Sequence, residues 1–217
     1  MTFFNNYSLV FIKTPKTGSE TILYFFKEVF KEQNILIDAN DNIFKYPDEK
    51  KFDISLGHIP YEEKYINKLN KIMKNKILYI TSLREPLDRS ISHFYYSHPL
   101  RNKIKYEEWY NRDYSKRGFN DNTNIDLVNN CMSNYIGINN VEELNKIYFH
   151  VFILEEFNTS LKIFFSKIGI CVNKNYEIKN KNKNRKNNFL SNNTKQLFYK
   201  NNVLDYDIYN RARKLFL

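Results

Sequence analysis

The segment Pro15-Lys16-Thr17-Gly18-Ser19-Glu20-Thr21 gathers an ammonium, three hydroxyls and a glycine directly behind the apolar run Leu9 to Ile12. That set suits an anion. A helix starting near Ser19 leaves its first amide hydrogens unpaired and carries partial positive charge at that end. A phosphate or sulfate placed there collects those amides, the hydroxyls of Thr17, Ser19 and Thr21, and the Lys16 ammonium. Gly18 lets the backbone pass close to such a ligand. The alternative is an ordinary helix cap supplied by Ser19 or Thr17. The segment is not the common phosphate loop G-x-x-x-x-G-K-[ST], because Lys16 precedes Gly18 and no glycine stands five residues ahead of it.

Two further groups carry chemistry. Arg84 ends the apolar run Ile77 to Leu83, and Ser92 follows eight positions later, two turns into a helix that Pro86 opens. An arginine fork with a hydroxyl suits a second phosphate. Alternatively, Arg84 pairs with Glu85 or Asp88. His58, in Ser55-Leu56-Gly57-His58-Ile59-Pro60-Tyr61, follows a short apolar run and a glycine. A neutral imidazole there can take a proton from a hydroxyl, or it can be a hydrogen-bonded loop histidine. His93, His98 and His150 have no comparable setting.

These residues need elements to place them. Tyr7–Ile12, Ile54–Leu56, Ile77–Leu83 and Phe149–Leu154 read as strands. Helical spacing of apolar residues runs over Ser19–Lys31, from Pro86 through Leu87, Ile91, Phe94 and Tyr95, and over Phe157–Ile168, which Gly169 ends as a C-cap. The tail from Thr194 to Leu217 is helical again. Strands alternating with helices predict an α/β fold with a mostly parallel sheet flanked by helices. Residues 98 to 126 read as an inserted loop or short helices, and residues 173 to 188 as a basic, asparagine-rich loop.

The 217 residues predict one domain, and 42% hydrophobic residues allow a sizeable core. The formal charge of +10 favours an anionic partner, unless it reflects a bias toward Asn, Lys, Ile, Phe and Tyr. Cys131 and Cys171 are too few for a disulfide framework and lack metal-ligand spacing; they read as two reduced core thiols, with one disulfide as the alternative. The N-terminus turns polar at Asn5-Asn6, unlike a signal peptide, and no run approaches the roughly 18 apolar residues of a membrane span. A cytoplasmic protein is expected, or the catalytic part of a longer anchored one.

PKTGSET after a strand, LREPLDRSISHFYY after a later strand, FILEEFNTSLKIFFSKIGI, and the ending NNVLDYDIYNRARKLF occur in this order. Together they resemble the sulfotransferases that use 3′-phosphoadenosine 5′-phosphosulfate, in particular the carbohydrate branch containing heparan sulfate 2-O-sulfotransferase. The resemblance runs over residues 8 to 217. It implies a three-layer, P-loop-like sulfotransferase fold and transfer of a sulfuryl group to a hydroxyl of a carbohydrate or acidic polysaccharide. It implies that Lys16, Thr17, Gly18, Ser19 and Thr21 hold the 5′-phosphosulfate, that Arg84 and Ser92 hold the 3′-phosphate, and that His58 is the catalytic base, with Lys16 acting at the leaving phosphate. Glu20 stands where the family often has a second hydroxyl, and it is not assigned to the ligand. Asn130 to Gly137 is similar to a segment bordering the cleft, and Arg185-Lys186 to a loop closing over the nucleotide. The scheme needs no metal and implies an anionic, hydroxyl-bearing acceptor, not nucleic acid.

Two other readings share parts of this pattern. A nucleotide kinase-like phosphotransferase would use the strand, loop and helix, but it calls for a lysine after the second glycine and a magnesium-binding carboxylate. A nucleic-acid-binding protein would account for the charge and the aromatics, but not for two phosphate motifs at strand ends.

Overall fold

A computed structural model describes residues 3–37, 41–97, 101–112, 129–171 and 190–217. Its elements, in chain order, are α1 (Phe3–Asn6), β1 (Tyr7–Ile12), α2 (Ser19–Val29), β2 (Ile35–Ile37), β3 (Ile54–Gly57), α3 (Glu63–Ile72), β4 (Lys76–Leu83), α4 (Pro86–Ser97), α5 (Tyr106–Tyr110), α6 (Cys131–Ile136), α7 (Leu144–Ile147), β5 (Tyr148–Ile153), α8 (Phe157–Lys167), α9 (Asn192–Asn201) and α10 (Val203–Phe216).

The strands form one all-parallel sheet in the order β2-β3-β1-β4-β5. Parallel sheets are covered on both faces, so their strands read as continuous apolar runs. β1 sits at the centre and is buried from Ser8 to Ile12. Its side chains alternate between two cores. Leu9 and Phe11 pack with Ile22, Phe25 and Phe26 of α2 and with Leu161, Phe164 and Phe165 of α8. Val10 and Ile12 pack on the other face with Leu69 and Ile72 of α3, Met132 of α6, and Ile208 and Ala212 of α10. The result is helices, sheet, helices, which bears out the α/β expectation. A third, aromatic cluster joins Phe94 of α4, Tyr106, Trp109 and Tyr110 of α5, and Phe198 of α9.

Local boundaries follow the sequence in most places. Gly169 (φ 74°) ends α8 in the left-handed conformation. Its amide bonds Ser166 O at 3.1 Å and that of Ile170 bonds Phe165 O at 2.8 Å, so two final carbonyls are satisfied. Five elements were not anticipated: the short helices α1, α6 and α7, the strand β2 and the helix α3. β2 is only three residues long, too short to stand out as a run. α3 buries Tyr65, Leu69 and Ile72, a helical spacing that was present to be read. The tail is two helices rather than one, broken at Asn202.

Both cysteines are free, but only Cys131 is buried; Cys171 is exposed. It lies beyond the end of α8, where the chain has left the core, which corrects the expectation of two core thiols. Among the described residues, no helix is long and apolar enough to cross a membrane.

Candidate functional site

Parallel strands present their carboxyl ends on one edge of the sheet, where α/β folds collect ligands. Here β1 pairs with β3 and β4 so that Ile12 stands beside Gly57 on one side and Thr81 on the other. The residues that follow each strand therefore meet: the loop 13–18 after β1, His58 after β3, and Arg84 after β4.

The loop is built to turn tightly. Lys16 (φ 66°) and Gly18 (φ 80°) both take the left-handed conformation, which costs a non-glycine residue about 1–2 kcal/mol. Gly18 is the N-cap of α2 and, having no side chain, supplies no side-chain cap. The capping alternative for Ser19 or Thr17 is therefore not what the structure adopts. A Cβ at Gly18 would lie 2.3 Å from Leu154 Cδ1, so the loop packs directly on the end of β5. The helix behind the loop is anchored by Ile22, Leu23, Phe25 and Phe26, all buried.

A hydroxyl network ties the loop to β4. Thr81 Oγ1 donates to Ile12 O at 2.8 Å and lies 3.3 Å from Thr14 Oγ1. Thr17 Oγ1 donates to Thr14 O at 2.8 Å and lies 2.6 Å from Ser82 Oγ. The hydroxyl of Thr17 is thus engaged within the protein and fully buried. Ser19 and Thr21 are buried as well.

Lys16 reaches the other way. Its Nζ sits 3.7 Å from the ring centroid of Tyr96, in the last turn of α4, a cation–π contact. Partial burial, followed by the nearby positive charge of Arg84, lowers the Lys16 pKa, and Glu20 opposes the shift. Two cations, one following β1 and one following β4, thus stand at the same edge of the sheet. Arg84 is mostly buried and its Nη2 lies 3.6 Å from Asp88 Oδ2. Asp88, Ser92 and Tyr96 recur every four residues and so share one face of α4, with Arg84 at one end and Lys16 at the other. The pairing of Arg84 with Asp88 rather than Glu85 is one of the alternatives read from the sequence.

His58 is half-buried, and its Nδ1 lies 2.9 Å from the backbone oxygen of Lys13. A carbonyl only accepts, so Nδ1 carries the hydrogen and Nε2 presents its lone pair. Lys13, which sequence reasoning passed over, also places its Nζ 2.6 Å from Glu20 Oε1. The hydrogen bond from Lys13 holds the Glu20 carboxyl below the usual range against the opposing effect of burial, with the charges of Lys13 and Lys27 adding to it. His150, by contrast, is a core residue. Burial pushes its pKa down to about 3, and Nε2 lies 3.2 Å from Ser160 Oγ. The imidazole therefore stays neutral.

The segment after Asn129 is fastened from α10. Asp205, buried, accepts the amides of Met132 at 3.0 Å and Ser133 at 2.7 Å. Of the remaining basic residues, Lys103 and Lys105 are exposed beside α5, and Arg112 pairs with Glu108 at 2.9 Å. Arg117, Arg185 and Lys186 lie outside the described residues. Among the described residues, no group of three or more His, Cys, Asp or Glu is placed to hold a metal ion. No protein-family model matches the chain, and no curated protein matches it.

Proposed function

We propose that this chain is a sulfotransferase of P-loop-like fold that moves a sulfuryl group from 3′-phosphoadenosine 5′-phosphosulfate to a hydroxyl of an anionic carbohydrate. The observation that carries the reading is that the loop 13–18 with its left-handed Gly18, His58 and Arg84 follow three adjacent parallel strands and so stand at one edge of the sheet. Cations at two of these strand ends, Lys16 and Arg84, suit a ligand that carries negative charge at both of its ends. The left-handed turn at Gly18 and the N-terminus of α2, whose N-cap residue has no side chain, fit the same ligand.

When bound, the donor supplies an electrophilic sulfur and a phosphate leaving group. The protein's residues do the rest. Lys16, Ser19 and the first turn of α2 would hold the 5′-phosphosulfate, with Gly18 allowing close approach. Arg84 and Ser92 would hold the 3′-phosphate across the shared face of α4. Fixing both ends orients the donor for in-line attack. His58 Nε2 takes the proton from the acceptor hydroxyl as its oxygen attacks sulfur, and the Lys13 carbonyl keeps the imidazole in the required tautomer. Lys16 and the helix end offset the charge that grows on the departing phosphate.

The test has two arms. In thermal unfolding, 3′-phosphoadenosine 5′-phosphate should raise Tm without magnesium, and adenosine 5′-phosphate should raise it much less. Radiolabelled donor should then label a polysaccharide containing uronic acid in preference to neutral sugars, tyrosine peptides or phenols, with the preference weakening as salt rises. Equal stabilisation by both nucleotides would remove the 3′-phosphate assignment. Phosphate transfer from ATP with magnesium would replace the reading altogether.

A further inference from the structure

A second ammonium stands at the loop, and the reaction as described leaves its side chain without a role. Lys13 follows β1 directly; its side chain is only 5% exposed, and its Nζ is 2.6 Å from Glu20 Oε1. Glu20 is the second residue of α2, and its side chain is 61% exposed. A carboxylate at that position sits beside the amides that would receive an anion. The helix itself favours a negative charge there, so nothing in α2 turns Glu20 aside. Left alone, its carboxylate would compete for the helix end and repel an incoming phosphosulfate. Lys13 approaches from the strand side and takes the carboxylate into an ion pair.

We propose that Lys13 is a charge-compensating positioning residue: its ammonium holds and neutralises Glu20 so that an anionic donor can occupy the N-terminus of α2. This inference rests on the reading of the loop as the donor site. The two ends of Lys13 act separately. Its backbone oxygen orients His58 whatever the side chain, whereas its ammonium serves the donor through Glu20. The side chain therefore governs donor affinity and not the proton transfer. The lowered pKa of Glu20 agrees, since the carboxyl remains ionised and paired.

The experiment is a double-mutant cycle read by calorimetric binding of 3′-phosphoadenosine 5′-phosphate to the wild type, Lys13→Met, Glu20→Gln, and the double variant. Lys13→Met should weaken binding on the order of 10-fold, because it releases an unneutralised carboxylate at the anion site. The double variant should regain most of that loss. Lys13→Arg, which keeps the positive charge beside Glu20, should bind the nucleotide within about threefold of the wild type, a rescue by charge that a merely structural lysine would not give. Should Lys13→Met not fold, Glu20→Gln against the double variant decides: the former should bind several-fold tighter, since it alone leaves the Lys13 charge uncompensated. Binding to Lys13→Met within about twofold of wild type, or a double variant as weak as the single, would overturn the role of Lys13 while leaving the donor site standing. A wild-type protein that does not bind the nucleotide would overturn the donor site itself, and the role with it.

Discussion

Two helices, α2 and α4, begin at the ends of the neighbouring strands β1 and β4, yet their first turns are finished in opposite ways. α2 starts from a left-handed glycine, which supplies no side-chain cap. α4 is closed by its own chain: Glu85 Oε2 accepts the Asp88 amide at 2.6 Å, and Glu85 Oε1 accepts the Tyr206 hydroxyl at 2.9 Å. The amide of Glu85 in turn donates to Glu155 Oε1 at 3.0 Å. A side-chain cap is typically worth about 1 kcal/mol. α2 forgoes it, and the burial of Ile22, Leu23, Phe25 and Phe26, at roughly 1.5–3 kcal/mol each, more than offsets the loss. The difference teaches that a helix N-terminus serves an outside anion only where the chain keeps its own carboxylates away. At α2 that requires Lys13 to draw off Glu20. At α4 the helix end is taken, so an anion beside it would have to be met by side chains, the role proposed above for Arg84 and Ser92.

The largest expected effect lies on the α2 side of the comparison. His58→Ala should lower kcat by roughly 10²–10⁴-fold with nucleotide affinity nearly unchanged. Near-normal turnover would place the base elsewhere, with Glu62 or Glu63 as the next residues to test.

Arg84→Ala comes next. Loss of a charged hydrogen-bonding partner is worth about 1.5–3 kcal/mol, or roughly 10- to 150-fold in affinity. The loss should fall on 3′-phosphoadenosine 5′-phosphate alone, leaving adenosine 5′-phosphate binding as it was. An equal loss for both nucleotides would mean that Arg84 supports the loop through Lys16 rather than reading the second phosphate.

Gly18→Ala tests the open helix end. The left-handed backbone costs alanine about 1–2 kcal/mol, and its methyl group must displace the Leu154 side chain. Both Tm and nucleotide affinity should fall. Adding Leu154→Ala should recover part of the steric loss but none of the backbone cost.

Glu85→Ala tests the closed one and should have the smallest effect. Removing the cap should lower stability by about 1 kcal/mol, seen as a lower urea midpoint, with nucleotide affinity changed by less than about threefold. If it weakened the nucleotide as much as Gly18→Ala does, the two helix ends would not be distinct in function.

The strands, the loop and the two phosphate-type motifs were legible because each is a local pattern. An apolar run such as Leu9 to Ile12 announces a buried parallel strand, and Lys16 to Thr21 is composed for an anion whatever surrounds it. α3 was legible too, through Tyr65, Leu69 and Ile72, although its polar surface hid it. β2 was not, since three residues carry no period. Which hydroxyls of the loop turn into the protein was not legible either. Thr17 and Ser19 look equivalent in the sequence. Parallel register brings Ser82 against Thr17 from 65 positions away, so the Thr17 hydroxyl turns inward.

Sequence alone, then, determined that a strand, an anion-type loop and a helix follow one another, and that arginine and histidine stand at two other strand ends. Tertiary structure decided that the loop 13–18, His58 and Arg84 stand at one edge of the sheet, that the Lys13 carbonyl meets His58 across 45 positions, and that Lys13 receives Glu20. The physical reason is that backbone propensity and apolar periodicity act within a few residues, whereas charge pairing and hydroxyl networks depend on which strand ends lie side by side. Only the order β3-β1-β4 at the centre of the sheet fixes that.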